Sequence, residues 1–379
     1  MKLSYVLKME DFLWINYKKH KELKKIKSNR YQEIIKSYVL SKEQKEEIDD
    51  FYLTYYGEKI PYDWHRYYSH FSGVFDKSYF PDFLLVPFFE HYQNFNKAYA
   101  EVYENKNIIP YIAKAADIQM PRTIISRTCG VIRCDGNIQS LETAEKYLEN
   151  IGKVFCKPSI VACGGRGCSI ANFHGGIDIT TGKRIRDVIL SLGEDFVIQE
   201  IIKCHPSISD IYSTSVNTFR IITYRWKNDF LHMPVFMRIG QGGSIVDNGA
   251  AGGIFIGVRD NGILTGKACT TYISNIMHHP DTGIVFKDYK IESFNMVIEA
   301  ALKMHKMIPE IGMVYWDFTI NQDGIPVLIE CNIRNGTIYA IQMTHGVSCF
   351  GNKISEVLQW IRKMNNTPYE KRINYAWGN

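Results

Sequence analysis

The sequence lacks a Cys-x-x-Cys pair. Its nine cysteines (Cys129, Cys134, Cys156, Cys163, Cys168, Cys204, Cys269, Cys331 and Cys349) are odd in number and include no Cys-x-x-Cys. That argues against zinc-ribbon and thioredoxin-like chemistry and points to reduced thiols in a cytoplasm, so any metal should be a hard cation held by oxygen. No apolar run reaches the roughly 18 residues that cross a membrane. The opening MKLSYVLKMEDFLWINYKKHK has no long apolar segment with a small-residue cleavage site, which points away from secretion and toward a cytoplasmic location. A strong excess of one charge is missing too. Lys and Arg number 45 against 40 Asp and Glu, and the net +5 is too mild a bias to call for nucleic acid. Neither GxxxxGK(S/T) nor a GxGxxG opening a helix occurs, so the P-loop and Rossmann folds do not fit.

What is present is an ordinary globular composition, 45% hydrophobic and 22% charged, in 379 residues, enough for two or three domains. Glycine is scarce at first: only Gly57 and Gly73 fall within residues 1–105, a region rich in Lys, Glu, Tyr and Phe. Segments 31–40 and 88–103 space their apolar residues as helices do, so a mostly helical N-terminal domain is expected there. Residues 106–205 alternate helical stretches with short apolar runs (TIIS, VIR, KVFCK, FVIQEII). Residues 206–379 carry β-rich runs (FRIITYR, HMPVFMRIG, GGIFIGV, MVYWDFTI, PVLIE) with helices expected near 292–308 and 353–364. In the last helix Ile354, Val357, Leu358 and Ile361 recur at i, i+3, i+4 and i+7, an amphipathic stripe. The pattern is α+β, with no internal repeat.

The strongest chemical signal is YWDFTINQDGIPVLIECNIRNG, residues 315–336. Two apolar runs flank Asp323-Gly324, a dipeptide favoured in two-residue hairpins because both positions tolerate φ > 0. Centring the hairpin there puts Asp317 opposite Glu330, roughly 5 Å away, with Asn332 on the same face. Two carboxylates facing each other among Trp316, Phe318 and Ile329 would repel, and a divalent cation removes the conflict. Two carboxylates and an amide oxygen, completed by phosphates, form a typical Mg²⁺ shell. The competing reading is a pair of solvated acids on an exposed sheet face.

Upstream, Lys157 ends KVFCK and is followed by a loop containing Gly164, Gly165 and Gly167, whose N–H groups can approach a polyanion closely. FVIQEII ends in Gln199-Glu200, where exposed backbone and an acid could clamp a nucleotide base and ribose, or where a strand could simply leave the core.

In this order, a cation, a glycine loop, a hinge and an Asp … Glu-x-Asn set, the motifs resemble the ATP-grasp superfamily. The stretch SVNTFRIITYR … MRIGQGGSIVDNGAAGGIFIGV is similar to its sugar-transfer-associated family, and the likeness spans about residues 80–365. The resemblance implies an ATP-grasp fold: a lid at about 122–203, within an ATP-grasp N-terminal part at 106–205, closes over a β-rich platform at 206–379. It implies ATP as nucleotide, bound by Lys106, Lys157, the glycine loop and the hinge residues Gln199, Glu200 and Ile202, with two Mg²⁺ ions on Asp317, Glu330 and Asn332. Arg220 and Arg238 become candidates for the γ-phosphate and a developing oxyanion. Asn248, in Asp247-Asn248 … Gly252-Gly253, matches an Asn-x-x-x-Gly-Gly segment of the glutamate-ligase-like branch, although a tight hairpin would look the same. Arg334 is a candidate receiver for a substrate carboxylate.

The implied reaction is carboxylate–amine ligation through an acyl phosphate, in the making or decoration of a cell-surface polysaccharide, with an amino acid or other amine as partner. A hydroxyl-directed phosphotransferase and a catalytically silent nucleotide-binding module stay open beside it. Residues 17–30 hold seven Lys or Arg against one Glu, a solvated helix face or a weak contact with an anionic membrane surface. His205 reads as a ribose contact or a loop histidine, His278-His279 as loop, and the aromatics of 51–103 as core.

Overall fold

The computed structural model describes residues 3–95, 97–160 and 166–379. Two antiparallel sheets carry the architecture. The first has seven strands, β1 (Thr123–Thr128), β2 (Val131–Cys134), β3 (Asn137–Ile138), β4 (Gly152–Pro158), β5 (Ser169–His174), β6 (Ile177–Asp178) and β7 (Phe196–Glu200), in the order β3-β2-β1-β7-β4-β5-β6. Helices Leu141–Leu148 and Ile185–Ser191 bury Ala144, Leu148, Ile185 and Ile189 in the same core as its Ile125, Val154 and Phe196. The second sheet comprises β8 (Thr218–Trp226), β9 (Asp229–His232), β10 (Val235–Ile239), β11 (Ile254–Val258), β12 (Met313–Ile320) and β13 (Pro326–Asn332). Its order is β11-β10-β8-β12-β13, and β9 pairs with β8.

The second sheet is buried on both faces, and strand alternation sorts its side chains between two cores. Ile221, Val314, Trp316 and Phe318 join one core with Val297, Ala301 and Met304 of helix Phe294–Lys306. Ile222, Tyr224, Met313 and Tyr315 point the other way, into a core shared with the N-terminal helices and with the helix Ile354–Asn365. The expected stripe Ile354, Val357, Leu358 and Ile361 is buried there. So are the aromatics Trp64, Tyr68, Phe80, Phe89 and Tyr92, which serve as packing.

Residues from Leu3 to Tyr103 are mostly helical, beginning with the 24-residue helix Leu3–Ile26. The helix expected over 31–40 runs instead over Asn29–Lys36 and stops at Ser37, short of Leu40. The helix expected over 88–103 breaks at Asn94, whose side chain leaves helical duty to bind Gly312 and Met313 at the start of β12 and Ile333 just past the end of β13.

The hairpin at 320–326 differs from the expected two-residue turn. Gly324 has φ +80°, but Asp323 is not left-handed. Asn321 accepts from Gly324 N at 3.0 Å and pairs with Ile325, so the loop holds three residues, 322–324. Near the turn the pairs are Thr319 with Val327 and Phe318 with Leu328; then Asp317 faces Glu330, and Ile329 is left over as a β-bulge. The bulge turns Glu330 onto the face opposite Leu328.

The ring of Phe89 lies within 4.6–6.5 Å of Phe350, Trp360, Tyr224 and Trp226. Phe89→Ala should cost about 3–5 kcal/mol and lower a single melting transition, because helices and sheet share that core. A separate N-terminal transition moving alone in calorimetry would contradict the shared core.

Candidate active site

Between the two sheets lies a cavity of about 800 Å³. Its floor is a row of charged residues on the face of the second sheet that also carries Tyr315. Register places Arg220 on β8 directly across from Asp317 on β12, and Asp317 across from Glu330 on β13. Asp317 is 1% exposed. Arg220 grips it with two donors, Nε to Oδ1 at 2.6 Å and Nη2 to Oδ2 at 3.0 Å, and Arg238 Nη2 approaches Oδ2 at 3.1 Å. Burial works to raise the Asp317 pKa, but the two guanidinium groups outweigh it and hold the carboxyl below its ordinary range.

Asn332 donates Nδ2 to Asp317 Oδ2 at 3.2 Å, which leaves its amide oxygen unspent by that contact. Glu330 is less buried, and Lys106 Nζ meets its Oε1 at 2.8 Å. Lys157 descends from β4 to 3.4 Å from the carbonyl of Ile329, the bulge residue. Burial pushes the Lys157 ammonium down to about 8, with Glu330 opposing and Lys106 adding to the shift. Around Asp317, four cationic side chains (Lys106, Lys157, Arg220, Arg238) face three carboxylates (Asp247, Asp317, Glu330) in one cavity. Such a concave site attracts an anionic ligand. Among the described residues no cluster of three or more His, Cys, Asp or Glu forms a metal cage, so a cation here would rely on Asn332 and on ligand oxygens.

Lys106, Lys157, Gln199, Glu200, Ile202, Arg220, Arg238, Asn248, Asp317, Glu330 and Asn332, which the sequence singled out separately, all line this cavity. Phe155, Ile170, Ile202 and Ile329 give it an apolar slot beside Lys157. Gly164 and Gly165 lie outside the described residues, and Gly167, with φ +75°, packs on Pro158 rather than lining the cavity. Asn248 Oδ1 accepts from Ala250 N at 2.8 Å and caps its own turn. A side chain at Gly253 would strike the Asp247 carbonyl at 2.4 Å, so this glycine is needed by the loop itself. The Glu200 carboxylate already accepts from Arg122 N. His205 caps the helix Pro206–Ser209 and does not line the cavity. The Arg334 guanidinium also lines the cavity, where Glu104 at 2.6 Å and Glu101 at 3.2 Å hold it.

A family model described as sugar-transfer associated ATP-grasp matches residues 89–357. The chain belongs to this family. Among solved structures, an L-amino acid ligase from Bacillus licheniformis is similar at 13% identity and TM-score 0.39, over 69% of this chain and 48% of the other. The VanG D-Ala:D-Ser ligase from Enterococcus faecalis gives 15% and 0.41, over 69% and 61%. A biotin carboxylase–ATP-analogue complex from Campylobacter jejuni gives 12% and 0.40, over 69% and 46%. The chain thus spans about half to three-fifths of the length of these three. No curated protein matches the sequence.

The charged residues around Asp317 and the backbone after Asn332 are held by side chains that the sequence did not reveal. Four successive N–H groups follow Asn332, and each meets a carboxylate from the N-terminal helical region. Glu104 Oε1 accepts from Ile333 and Arg334 at 2.8 and 3.0 Å. Glu90 accepts from Asn335 and Gly336 at 2.8 and 3.0 Å, and from the Tyr315 hydroxyl at 2.6 Å. Gly336 is obligatory, since a Cβ there would lie 2.0 Å from the Tyr315 ring. On the other side, Asp247 accepts from Thr218 N at 2.9 Å and sits 3.5 Å from Arg238, fixing that guanidinium over Asp317. The missed signal was one of distance: these partners lie far away in sequence, and no spacing rule links them.

Burial raises the Glu90 carboxyl to about 7 despite its three donors. With a folded pKa above the unfolded one, the native state binds the extra proton between about pH 4.5 and 7, so this residue's contribution falls as pH rises through that window. Glu90→Gln should therefore melt progressively closer to, or above, wild type as pH increases from about 5 to 8. A constant difference in melting temperature across that range would contradict this.

Proposed function

We propose that this protein is an ATP- and Mg²⁺-dependent ligase that joins a carboxylate to an amine through an acyl phosphate, acting on a sugar-containing substrate of cell-surface polysaccharide synthesis. The observation that carries the reading is the convergence of Asp317, Glu330 and Asn332 with Lys106, Lys157, Arg220 and Arg238 in one cavity. Membership of the sugar-transfer associated family supports the substrate setting.

The donor set suits a hard divalent cation. Two carboxylates and an amide oxygen lie on one face of adjacent strands, all oxygen and no thiolate. Asp317, Glu330 and Asn332 would hold it. Bound magnesium supplies charge neutralisation between the phosphates of the nucleotide.

The chain's own groups do the rest by positioning. Lys106 and Lys157 hold the α- and β-phosphates, and the apolar slot of Phe155, Ile170, Ile202 and Ile329 takes the base, with Gln199 and Glu200 at its edge. An acceptor carboxylate oxygen attacks the γ-phosphorus and ADP leaves. The neutral amine nitrogen then attacks the acyl carbon, the bond from that carbon to the phosphate oxygen breaks, and inorganic phosphate departs carrying the proton lost by nitrogen. Arg238, pinned by Asp247 and Thr218, presents N–H donors to the anionic oxygens of these steps, where preorganised donors are most effective. Closure of the seven-stranded sheet over the cavity keeps water from the acyl phosphate.

The test is incubation with ATP, Mg²⁺, a pool of amino acids and uronic-acid acceptors, following ADP and product mass. Acceptor-dependent ADP with an amide product is expected; phosphorylated hydroxyl product, or no ADP with any acceptor, would refute ligation. Glu330→Gln and Arg238→Met should each lower acceptor-dependent turnover by about 100-fold or more, and retention of wild-type rates would remove these residues from the site.

A further inference from the structure

The helix Leu3–Ile26 docks by one face only. Ile15 and Ile26 are buried against the core, and Asp11 is buried in an ion pair with His91 and Arg372. Its opposite face is open. Met9, Phe12, Leu13 and Tyr17, at i, i+3, i+4 and i+8, are 46, 65, 59 and 63% exposed. That spacing puts the four on one face, with the exposed Asn16 as the polar residue among them. Such residues seldom lie together on a surface without an occupant.

The next turns of the same outward face change character, to the exposed residues His20, Lys21 and Lys24, with Lys27 and Arg30 just beyond. The other lysines of this run are used internally: Lys18 binds Asn335, Lys19 lies over the Phe83 and Phe88 rings, and Lys25 pairs with Glu22. Lys21, Lys24 and Lys27 have no salt bridge among the described residues. Glu10 is the exposed acid flanking the ridge.

We infer that this helix face binds the surface of an anionic phospholipid bilayer. The ridge of Phe, Leu, Met and Tyr enters the boundary between headgroups and acyl chains, and the lysines meet the negative headgroups. The charge pattern favours lipid over a protein partner, because lysine is depleted from protein–protein interfaces. The docked face of the same helix, opposite the ridge, reaches the cavity. Lys18 holds Asn335, and Asn335 lines the cavity beyond Asn332. The binding itself does not depend on the ligase reading.

Vesicle co-sedimentation of the full chain tests it, with phosphatidylcholine alone against phosphatidylcholine containing phosphatidylglycerol. Binding to the mixed vesicles is expected, with far less to the neutral ones. Lys21→Glu/Lys24→Glu/Lys27→Glu should weaken it by about 100-fold or more, since each lysine near an anionic surface contributes roughly five-fold. Phe12→Ser/Leu13→Ser should weaken it by at least about ten-fold. All five side chains are exposed, so melting temperatures should stay at the wild-type value. Wild type remaining in the supernatant with mixed vesicles, or either variant binding as tightly as wild type, overturns the inference. So does a dimer in solution that Phe12→Ser/Leu13→Ser dissociates, which would assign the ridge to a second copy.

Discussion

The ion pairs of Asp317 are the constraint on which the rest of the site depends. A carboxylate buried to this degree persists only if its charge is met, and breaking such a pair costs about 3–5 kcal/mol. Arg220 meets it from β8, the adjacent strand, Arg238 from β10, one strand further across the sheet, and Asn332 from the hairpin partner. Each of these side chains must then emerge on the same face. Strand alternation delivers the two arginines. Glu330 and Asn332 need more, because β13 first has to bury Leu328 in the opposite core. The bulge at Ile329 resolves this and at the same time turns a carbonyl toward Lys157.

The helical N-terminal layer follows from the same requirement. The chain leaving Asn332 carries four N–H groups that cannot pair within the sheet, and unpaired buried donors are costly. Glu104 and Glu90 take two each. The layer is thus the back wall of the candidate site, sharing one core with the face of the sheet that bears Asp317.

Much of this was legible in the sequence because it is local. The α+β class, the strands around 218–226 and 313–332, the amphipathic helix from Ile354 and the pairing of Asp317 with Glu330 all follow from periodicity and one turn dipeptide. The pair was reached by a simpler route than the protein takes. A two-residue turn gives the same partners as a three-residue loop plus a bulge, since the bulge restores the register that the longer loop shifts. What stayed hidden depends on tertiary placement. Glu90, Glu104, Thr218 and Asp247 read as ordinary polar residues until the fold brings them to the backbone of 333–336 and to Arg238. Arg334 is similar: its place close behind Asn332 is plain in the sequence, but the Glu101 and Glu104 side chains that hold it are not.

The central claim is that Asp317, Glu330 and Asn332 bind a divalent cation against nucleotide phosphates. Crystals grown with a non-hydrolysable ATP analogue and Mn²⁺ test it most directly through anomalous scattering. Manganese bound by Asp317, Glu330 and Asn332, with the triphosphate beside Lys106 and Lys157, is the expected result. Nucleotide bound with no metal at these three residues, or bound outside this cavity, would contradict it.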